Sequence, residues 1–263
     1  VSPSESAALY EVRDHIAVIT LNRPDALNAV NSALSAAAGA ALERAAADPE
    51  VRVVVITGAG RGFCAGADLK EIAAGRSIYD PDHREWDFAG IVRHWIPKPV
   101  IAAVNGFALG GGTEIVLAAD LAVIDENASL GLPEVRRGLL AAAGGLLRIH
   151  RQVPAKVAAE IAFTGEPISA ARAYELGLVN KIAPTGTALP AALELAGVIA
   201  ANAPVSVQQS KTVLHESAAS DTGWSSAEWA VNRVATKAVM AGADAKEGPR
   251  AFAEKRKPRW TGR

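Results

Sequence analysis

Val100–Ile101–Ala102–Ala103–Val104–Asn105–Gly106–Phe107–Ala108–Leu109–Gly110–Gly111–Gly112–Thr113–Glu114 opens with five apolar residues, crosses a glycine-rich turn and enters an apolar segment that ends at Ala119. Leu121–Ala122–Val123–Ile124 follows at once. A short continuous apolar run reads as a strand covered on both faces, and strand, helix, strand in that order marks a parallel βα unit. The same grammar recurs outward from this stretch. Val53–Val54–Val55–Ile56–Thr57 reads as a second buried strand, closed by Gly58–Ala59–Gly60, with a helix from Asp68 to Ala74 beyond it. Ile16–Ala17–Val18–Ile19–Thr20–Leu21 is a β-rich run that ends at Asn22–Arg23–Pro24. Asn31 is placed to cap a helix across the alanine-rich segment to Ala47, which stops near Asp48–Pro49. The alternation predicts an α/β fold of stacked βα units rather than an antiparallel sandwich.

Beyond Gly144 the pattern turns helical, over Pro154–Phe163, Ser169–Leu176, Leu189–Ala201, Val205–Ala218 and Ser225–Val239. This last third carries few strand signals and reads as a helical subdomain, with the seam near residue 200. A polar stretch containing Pro81 and Trp86 is expected to form a mobile lid. No internal repeat or low-complexity linker is visible in the sequence.

The 263 residues suffice for one large domain or two modest ones, and a chain of this size buries roughly 70–75% of its unfolded surface. Half the residues are hydrophobic and 21% charged, an ordinary globular balance. A net charge of −1 gives no general attraction to nucleic acid or anionic lipid. Cys64 is the only cysteine, so no intrachain disulfide forms and a reducing cytosol is expected. Val1 to Ala8 lacks the basic-then-apolar pattern of a signal peptide, and no apolar run reaches the ~20 residues of a membrane span. A cytoplasmic protein with no membrane partner is therefore expected.

Several chemistries are excluded by motif. The five histidines, His15, His83, His94, His150 and His215, show no metal-ligand spacing with one another or with the cysteine. Nucleophile-elbow and P-loop patterns are absent, and Gly58, Gly60 and Gly62 fail to complete G-x-G-x-x-G because position 63 is Phe. What remains is a pair of glycine-containing turns, Arg61–Gly62–Phe63–Cys64–Ala65–Gly66–Ala67–Asp68–Leu69 and Asn105 to Glu114, each between a buried strand and a helix. Each leaves backbone N–H groups at a helix start, where the macrodipole is positive. Two of these converging on one point would form an oxyanion hole for a thioester carbonyl. The plainer reading is that the glycines permit tight turns and Asp68 caps a helix. Glu114 lies among Ile115, Val116 and Leu117, and Glu134 follows Pro133 twenty residues on. A carboxylate in apolar surroundings gains a raised pKa and becomes an acid or base usable near neutrality. Against that stands a first-turn glutamate favoured by the dipole and an ordinary surface loop residue.

The segments Cys64–Ala65–Gly66–Ala67–Asp68–Leu69–Lys70–Glu71 and Asn105–Gly106–Phe107–Ala108–Leu109–Gly110–Gly111–Gly112–Thr113–Glu114 resemble the two signature turns of the enoyl-CoA hydratase/isomerase (crotonase) superfamily. The resemblance runs from Leu21–Asn22–Arg23–Pro24 to the C-terminal Ala251–Phe252–Ala253–Glu254–Lys255–Arg256–Lys257. It implies a crotonase-like stacked ββα spiral core over residues 1–200 and a C-terminal helical trimerisation region over 201–263. It implies an oxyanion hole made by the N–H groups of Ala67 and Gly111, with Glu114 and Glu134 as the catalytic glutamates of a hydratase. Glu134 would then give a proton to Cα and Glu114 would activate the water. Ala26, Leu27, Ala65, Asp68 and Leu69 fall where the family wraps the adenine end of coenzyme A. Lys255 matches a lysine that reaches a CoA phosphate, sometimes from the neighbouring subunit. The implied enzyme adds water across a 2-enoyl-CoA without metal or separate cofactor, coenzyme A being part of the substrate, and assembles as a homotrimer or a dimer of trimers.

One departure concerns the stretch after Glu134. Many hydratases carry a Pro and an acidic residue or Gly before paired glycines, where this chain has Leu140–Ala141–Ala142–Ala143–Gly144–Gly145. The departure bears on the acyl pocket more than on reaction type. Glu126–Asn127–Ala128–Ser129 and the tail Glu247 to Arg256 are also similar to crotonobetainyl-CoA (carnitinyl-CoA) hydratases. A Δ3,Δ2-enoyl-CoA isomerase is a further alternative, weakened by the presence of Glu114. A catalytically silent CoA-thioester or RNA-binding module is weakened by both glutamates. The basic tail Lys255–Arg256–Lys257–Pro258–Arg259 reads as a solvated end or a CoA-phosphate contact rather than a nucleic-acid site. Trp95, Trp224, Trp229 and Trp260 are expected in the core or at subunit contacts, Cys64 as small filler, and Asp120 as structural.

Overall fold

The computed structural model describes residues 6–217 and 226–263. Strands β1 (Ala8–Arg13) and β2 (Ile16–Leu21) form an antiparallel hairpin around Asp14 and His15, both at positive φ as a two-residue hairpin turn requires. After helix α1 (Ser32–Ala47), β2 is joined in parallel by β3 (Val53–Gly58). The chain then steps sideways into a short strand, β4 (Gly62–Cys64), before helix α2 (Leu69–Ala73). The same step repeats twice. β5 (Val100–Val104) and β6 (Phe107–Leu109) precede α3 (Gly111–Ala118), and β7 (Leu121–Asp125) and β8 (Ser129–Gly131) precede a 3-10 turn at Pro133–Arg137.

The first strand of each pair joins one sheet and the second joins another. The larger sheet is ordered β1-β2-β3-β5-β7-β10 and the smaller β4-β6-β8-β9, where β9 is Ile168–Ser169 and β10 is Lys181–Ala183. This is the stacked ββα spiral implied by the family resemblance. The residue pattern alone reads β4 and β6 as parts of turns, because three residues are too few to display a strand period.

Alternate residues of β3 explain why it reads as a continuous apolar run. Val54 and Ile56 enter a core with Leu34, Ala38, Leu42 and Ala45 of α1, whereas Val53 and Val55 enter a second core on the opposite face. That second core is closed by Ala191, Ala192, Ala196 and Ala200 of α7 (Ala188–Ala200). Each fully buried valine contributes roughly 1.5–3 kcal/mol relative to exposure. Alanines on α7 let the helix approach the sheet closely. Along the chain, α7 is preceded by α4 (Gly145–Gln152), α5 (Ala155–Thr164) and α6 (Ala170–Glu175). The chain continues through α8 (Pro204–Ser217), α9 (Ser226–Ala241) and α10 (Asp244–Ala253). Helix α8 is tied to the core by Lys211, whose Nζ lies 2.7 Å from Asp120 Oδ2 and donates to Lys98 O at 2.9 Å.

The stretch expected as a mobile lid is instead anchored. Ile78, Phe88, Ile91, Val92 and Ile96 are buried, Ser35 Oγ donates to Ile78 O at 2.7 Å, and Trp86 is stacked between His83 and His94. Five apolar side chains removed from water hold this segment to the core, and its exposed residues are 81–85, Arg93 and Trp95. Among the tryptophans, Trp95 and Trp229 are half exposed rather than core, Trp260 donates to Ala201 O at 2.7 Å, and Trp224 lies outside the described residues.

Candidate active site

The first glycine turn is built on Asn28, a buried residue at positive φ. Its Nδ2 donates to Ala59 O, Gly62 O and Phe63 O at 2.9, 2.9 and 3.1 Å, and its Oδ1 accepts from Arg23 N. Arg23 in turn pairs with Asp68, Nη1 to Oδ2 at 3.0 Å, while Asp68 Oδ1 accepts from Lys70 N and caps α2. Burial works to raise the Asp68 carboxyl, but the Arg23 guanidinium and the Lys70 N–H outweigh it and hold the group below the ordinary range. Asn28 and Arg23 escaped the sequence reading. The signal was there, since Asn after a Pro-containing turn tolerates positive φ and carries an amide that replaces backbone partners.

The second turn is bolted to the first by Asn105, which accepts from Gly58 N at 3.1 Å and donates to Gly60 O at 3.0 Å. Thr113 Oγ1 donates to Ala108 O and accepts from Gly131 N, fixing the start of α3 against β8. Gly66 has φ +91°, and a Cβ on it would stand 2.9 Å from Leu109 O and 3.2 Å from Gly111 N. Only glycine permits both that conformation and that approach, so the two turns meet here.

The amides follow from this packing. Val30 N donates to Gly66 O and Asp68 N donates to Val30 O, so Ala67 between them turns its own N–H to the other side, as in any parallel bridge. Gly111 is the first residue of α3, and its N–H has no acceptor within the helix.

Two carboxyl groups flank this point. Glu134 sits on the 3-10 turn after β8, and a Cβ on Gly110, itself at φ +56°, would stand 2.9 Å from Glu134 Oε1. Glu134 Oε2 is buried and has no hydrogen-bond partner, and burial raises its pKa. Glu114 is 3% exposed on the first turn of α3, and its Oε1 accepts from Gly145 N at 2.8 Å. Burial pushes the Glu114 carboxyl up to about 7; the Gly145 and Ala143 N–H groups and Arg148 oppose the rise, and the Glu134 charge adds to it. An acid poised there exchanges protons readily at neutral pH, and an unpartnered buried carboxyl oxygen beside it is set to meet a small polar molecule.

Ala65 N donates to Leu27 O at 3.0 Å, and Ala26 lies in the 3-10 turn that Leu27 ends at φ 54°, so Ala26, Leu27, Ala65, Asp68 and the exposed Leu69 line one wall by the first turn. Lys255 is not brought to that wall within one chain. It is exposed beyond α10, in a tail held by Trp260 to Ala201, next to Ala200 whose carbonyl accepts from Arg52 at the start of β3. The wall lies at the other end of β3, where Ala59 O accepts from Asn28. Of the tail's basic groups Arg256 is neutralised locally, pairing with Glu247 and Glu254 at 2.6 Å each. Among the described residues no group of three or more His, Cys, Asp or Glu is placed to hold a metal ion. A cavity of about 880 Å³ lies at the far end of α3, lined by Trp95, Leu117, Asp120, Arg148, Lys211 and His215, and not around the glutamates.

The chain matches the family model described as enoyl-CoA hydratase/isomerase over residues 11–263, and it belongs to that family. It is 38% identical to enoyl-CoA hydratase EchA19 of Mycobacterium tuberculosis over 97% of each chain. Among solved structures it is similar to enoyl-CoA hydratase EchA1 from Mycobacterium marinum, with a TM-score of 0.92 and 46% identity over 98% of this chain and 100% of that one. It is also similar to a carnitinyl-CoA hydratase from Mycobacterium avium, with a TM-score of 0.79 and 54% identity over 99% of this chain and 100% of that one.

Proposed function

We propose that this chain is an enoyl-CoA hydratase, adding water across the double bond conjugated to the thioester of a 2-enoyl-CoA. The observation that carries the reading is the pair of raised carboxyls, Glu114 and Glu134, set against the Gly110–Gly111 turn, with Glu134 Oε2 buried and unpartnered. In this reading the N–H groups of Ala67 and Gly111 receive the thioester oxygen and stabilise the enolate that forms when Cβ is attacked. One such donor is worth about 2.7–4 kcal/mol at the transition state. The water sits between the glutamates. Its oxygen bonds to Cβ as one of its protons passes to Glu114, and Glu134 delivers a proton to Cα. The pair ends with the single proton it began with, now on the other carboxyl, and its titration belongs to both. No electrons leave the substrate, so the step calls for no redox cofactor.

The wall formed by Ala26, Leu27, Ala65, Asp68 and Leu69 is the proposed seat of the adenine end of coenzyme A. Lys255 is assigned to a CoA phosphate across a subunit boundary, which requires self-assembly. Leu214, Val234 and Phe252, exposed at 72%, 71% and 87% on α8, α9 and α10, offer apolar contacts for a partner copy in a trimer or a dimer of trimers. A reducing, cytoplasmic setting suits Cys64, whose buried thiol is pushed up to about 12 and is unreactive. No single described helix is long and apolar enough to cross a membrane, although the bent pair α7 and α8 passes by length and composition. The alanine face of α7 is spent on the sheet.

A crotonobetainyl-CoA substrate is the second reading, favoured by the 54% identity to the carnitinyl-CoA hydratase from M. avium. The test is loss of the enoyl-thioester ultraviolet absorbance when purified protein meets a panel of 2-enoyl-CoAs and crotonobetainyl-CoA. Turnover of the straight-chain substrates is expected, preference for crotonobetainyl-CoA would select the second reading, and hydration of none would end both.

A further inference from the structure

The turn that holds Glu114 has little in its own side chains to hold it. Ala141, Ala142 and Ala143 carry only methyl groups, yet Gly145 N donates to Glu114 Oε1 and the Ala143 N–H also faces that carboxyl. Two N–H groups from neighbouring residues form a concave anion seat, which grips only as well as the peptides themselves are fixed.

The peptide between these two, Ala143–Gly144, is held by Arg148. Its Nη1 donates to Ala143 O at 3.3 Å and its Nη2 to Val92 O at 2.6 Å. The fit is close, since a Cβ on Gly144 would fall on the guanidinium. Val92 closes the Phe88–Val92 segment, and the Phe88 ring is packed against Gly111. A single half-buried side chain thus joins the segment over Gly111 to the turn on Glu114. Burial lowers the Arg148 pKa, while the charges of Glu114 and Asp87 favour its cationic form.

We propose that Arg148 is a positioning residue for Glu114: by bridging the Val92 and Ala143 carbonyls it sets the Ala143–Gly145 turn, and with it the direction of the Glu114 carboxyl. The geometry is independent of the reaction assigned above, but the effect on turnover rests on that hydratase reading. A planar fork bridges two carbonyls at once, which an ammonium group on a lysine stem does not reproduce.

The experiment compares wild type with Arg148→Lys, Arg148→Met and Arg148→Ala. Arg148→Lys, which keeps the charge, should lose about tenfold or more in kcat with KM within about twofold, as expected when a reacting group is misaligned. Arg148→Met should raise the Glu114 titration, read by 13C NMR of the glutamate carboxyls, and added guanidinium ion should restore part of the Arg148→Ala rate. Wild-type kcat in folded Arg148→Lys, or an unmoved Glu114 titration in folded Arg148→Met, overturns the proposal. So does activity lost only in step with melting temperature and not recovered by guanidinium. If the wild-type protein hydrates no enoyl-CoA, the hydratase reading falls, and the Glu114 titration still decides the role of Arg148.

Discussion

The backbone N–H of Gly145 donates to Glu114 Oε1 at 2.8 Å, joining two residues 31 apart in the chain. That bond lowers the Glu114 pKa, and burial raises it further than the bond can offset. The carboxyl is thereby held in one direction and left able to take or release a proton near neutrality.

Replacing either glutamate tests the assignment directly. Glu114→Gln and Glu134→Gln should each lower kcat at least ~100-fold, the ordinary worth of a general acid or base. Steady-state hydration kinetics measure this, and an unaffected rate removes that residue from the mechanism.

Stability should move the other way for Glu114. Its folded pKa is raised from 4.5 to about 7, so the folded state holds its proton more tightly than the unfolded chain. The associated stability is complete below pH 4.5 and is lost as pH rises through about 7. At about 1.4 kcal/mol per unit, the burial costs on the order of 3 kcal/mol at pH 8. Glu114→Gln should therefore melt above wild type at pH 8 and close to it at pH 4; a lower melting temperature at pH 8 contradicts the burial argument.

Hydration should follow a bell-shaped pH profile with its alkaline limb near 7, because one carboxyl of the pair must be ionised and the other protonated, and the Glu134 charge makes Glu114 the later of the two to ionise. A profile flat from pH 5 to pH 9 would separate turnover from these carboxyls.

Gly110→Ala should fold poorly strained rather than unfolded, with kcat reduced more than tenfold. The new Cβ would stand 2.9 Å from Glu134 Oε1, at a backbone conformation (φ 56°, ψ −122°) that costs a non-glycine residue about 1–3 kcal/mol. Circular dichroism and kinetics on the same sample separate the two effects.

Asn28→Ala leaves three carbonyls of the first turn without their donor and should destabilise the protein by roughly 2–3 kcal/mol. Urea denaturation reads this as a lower midpoint, and an unchanged midpoint would mean that water replaces the amide freely.

The larger sheet was legible where strands were long. Val53–Thr57 and Val100–Val104 announce themselves because both faces are covered and no polar residue interrupts them. Strand β10 was not legible, since Lys181–Ala183 has a lysine and only three residues, and it joins the sheet by pairing with β7. The sequence pointed to both glycine turns and to the two glutamates that stand beside them. Asn28, Phe88 and Arg148 were not, because each acts through backbone groups supplied by other parts of the chain.

Taken alone, the amino-acid sequence determined the α/β class, the two glycine turns at helix starts and the identity of the paired carboxyls, since strand runs, turn residues and acid groups are properties of neighbours along the chain. Tertiary structure alone decided that Gly66 abuts Gly111, that Glu134 Oε2 is buried without a partner and that Lys255 stands apart from the Leu27 wall. Those outcomes depend on contacts between distant segments and on the water they exclude, and no local pattern encodes either.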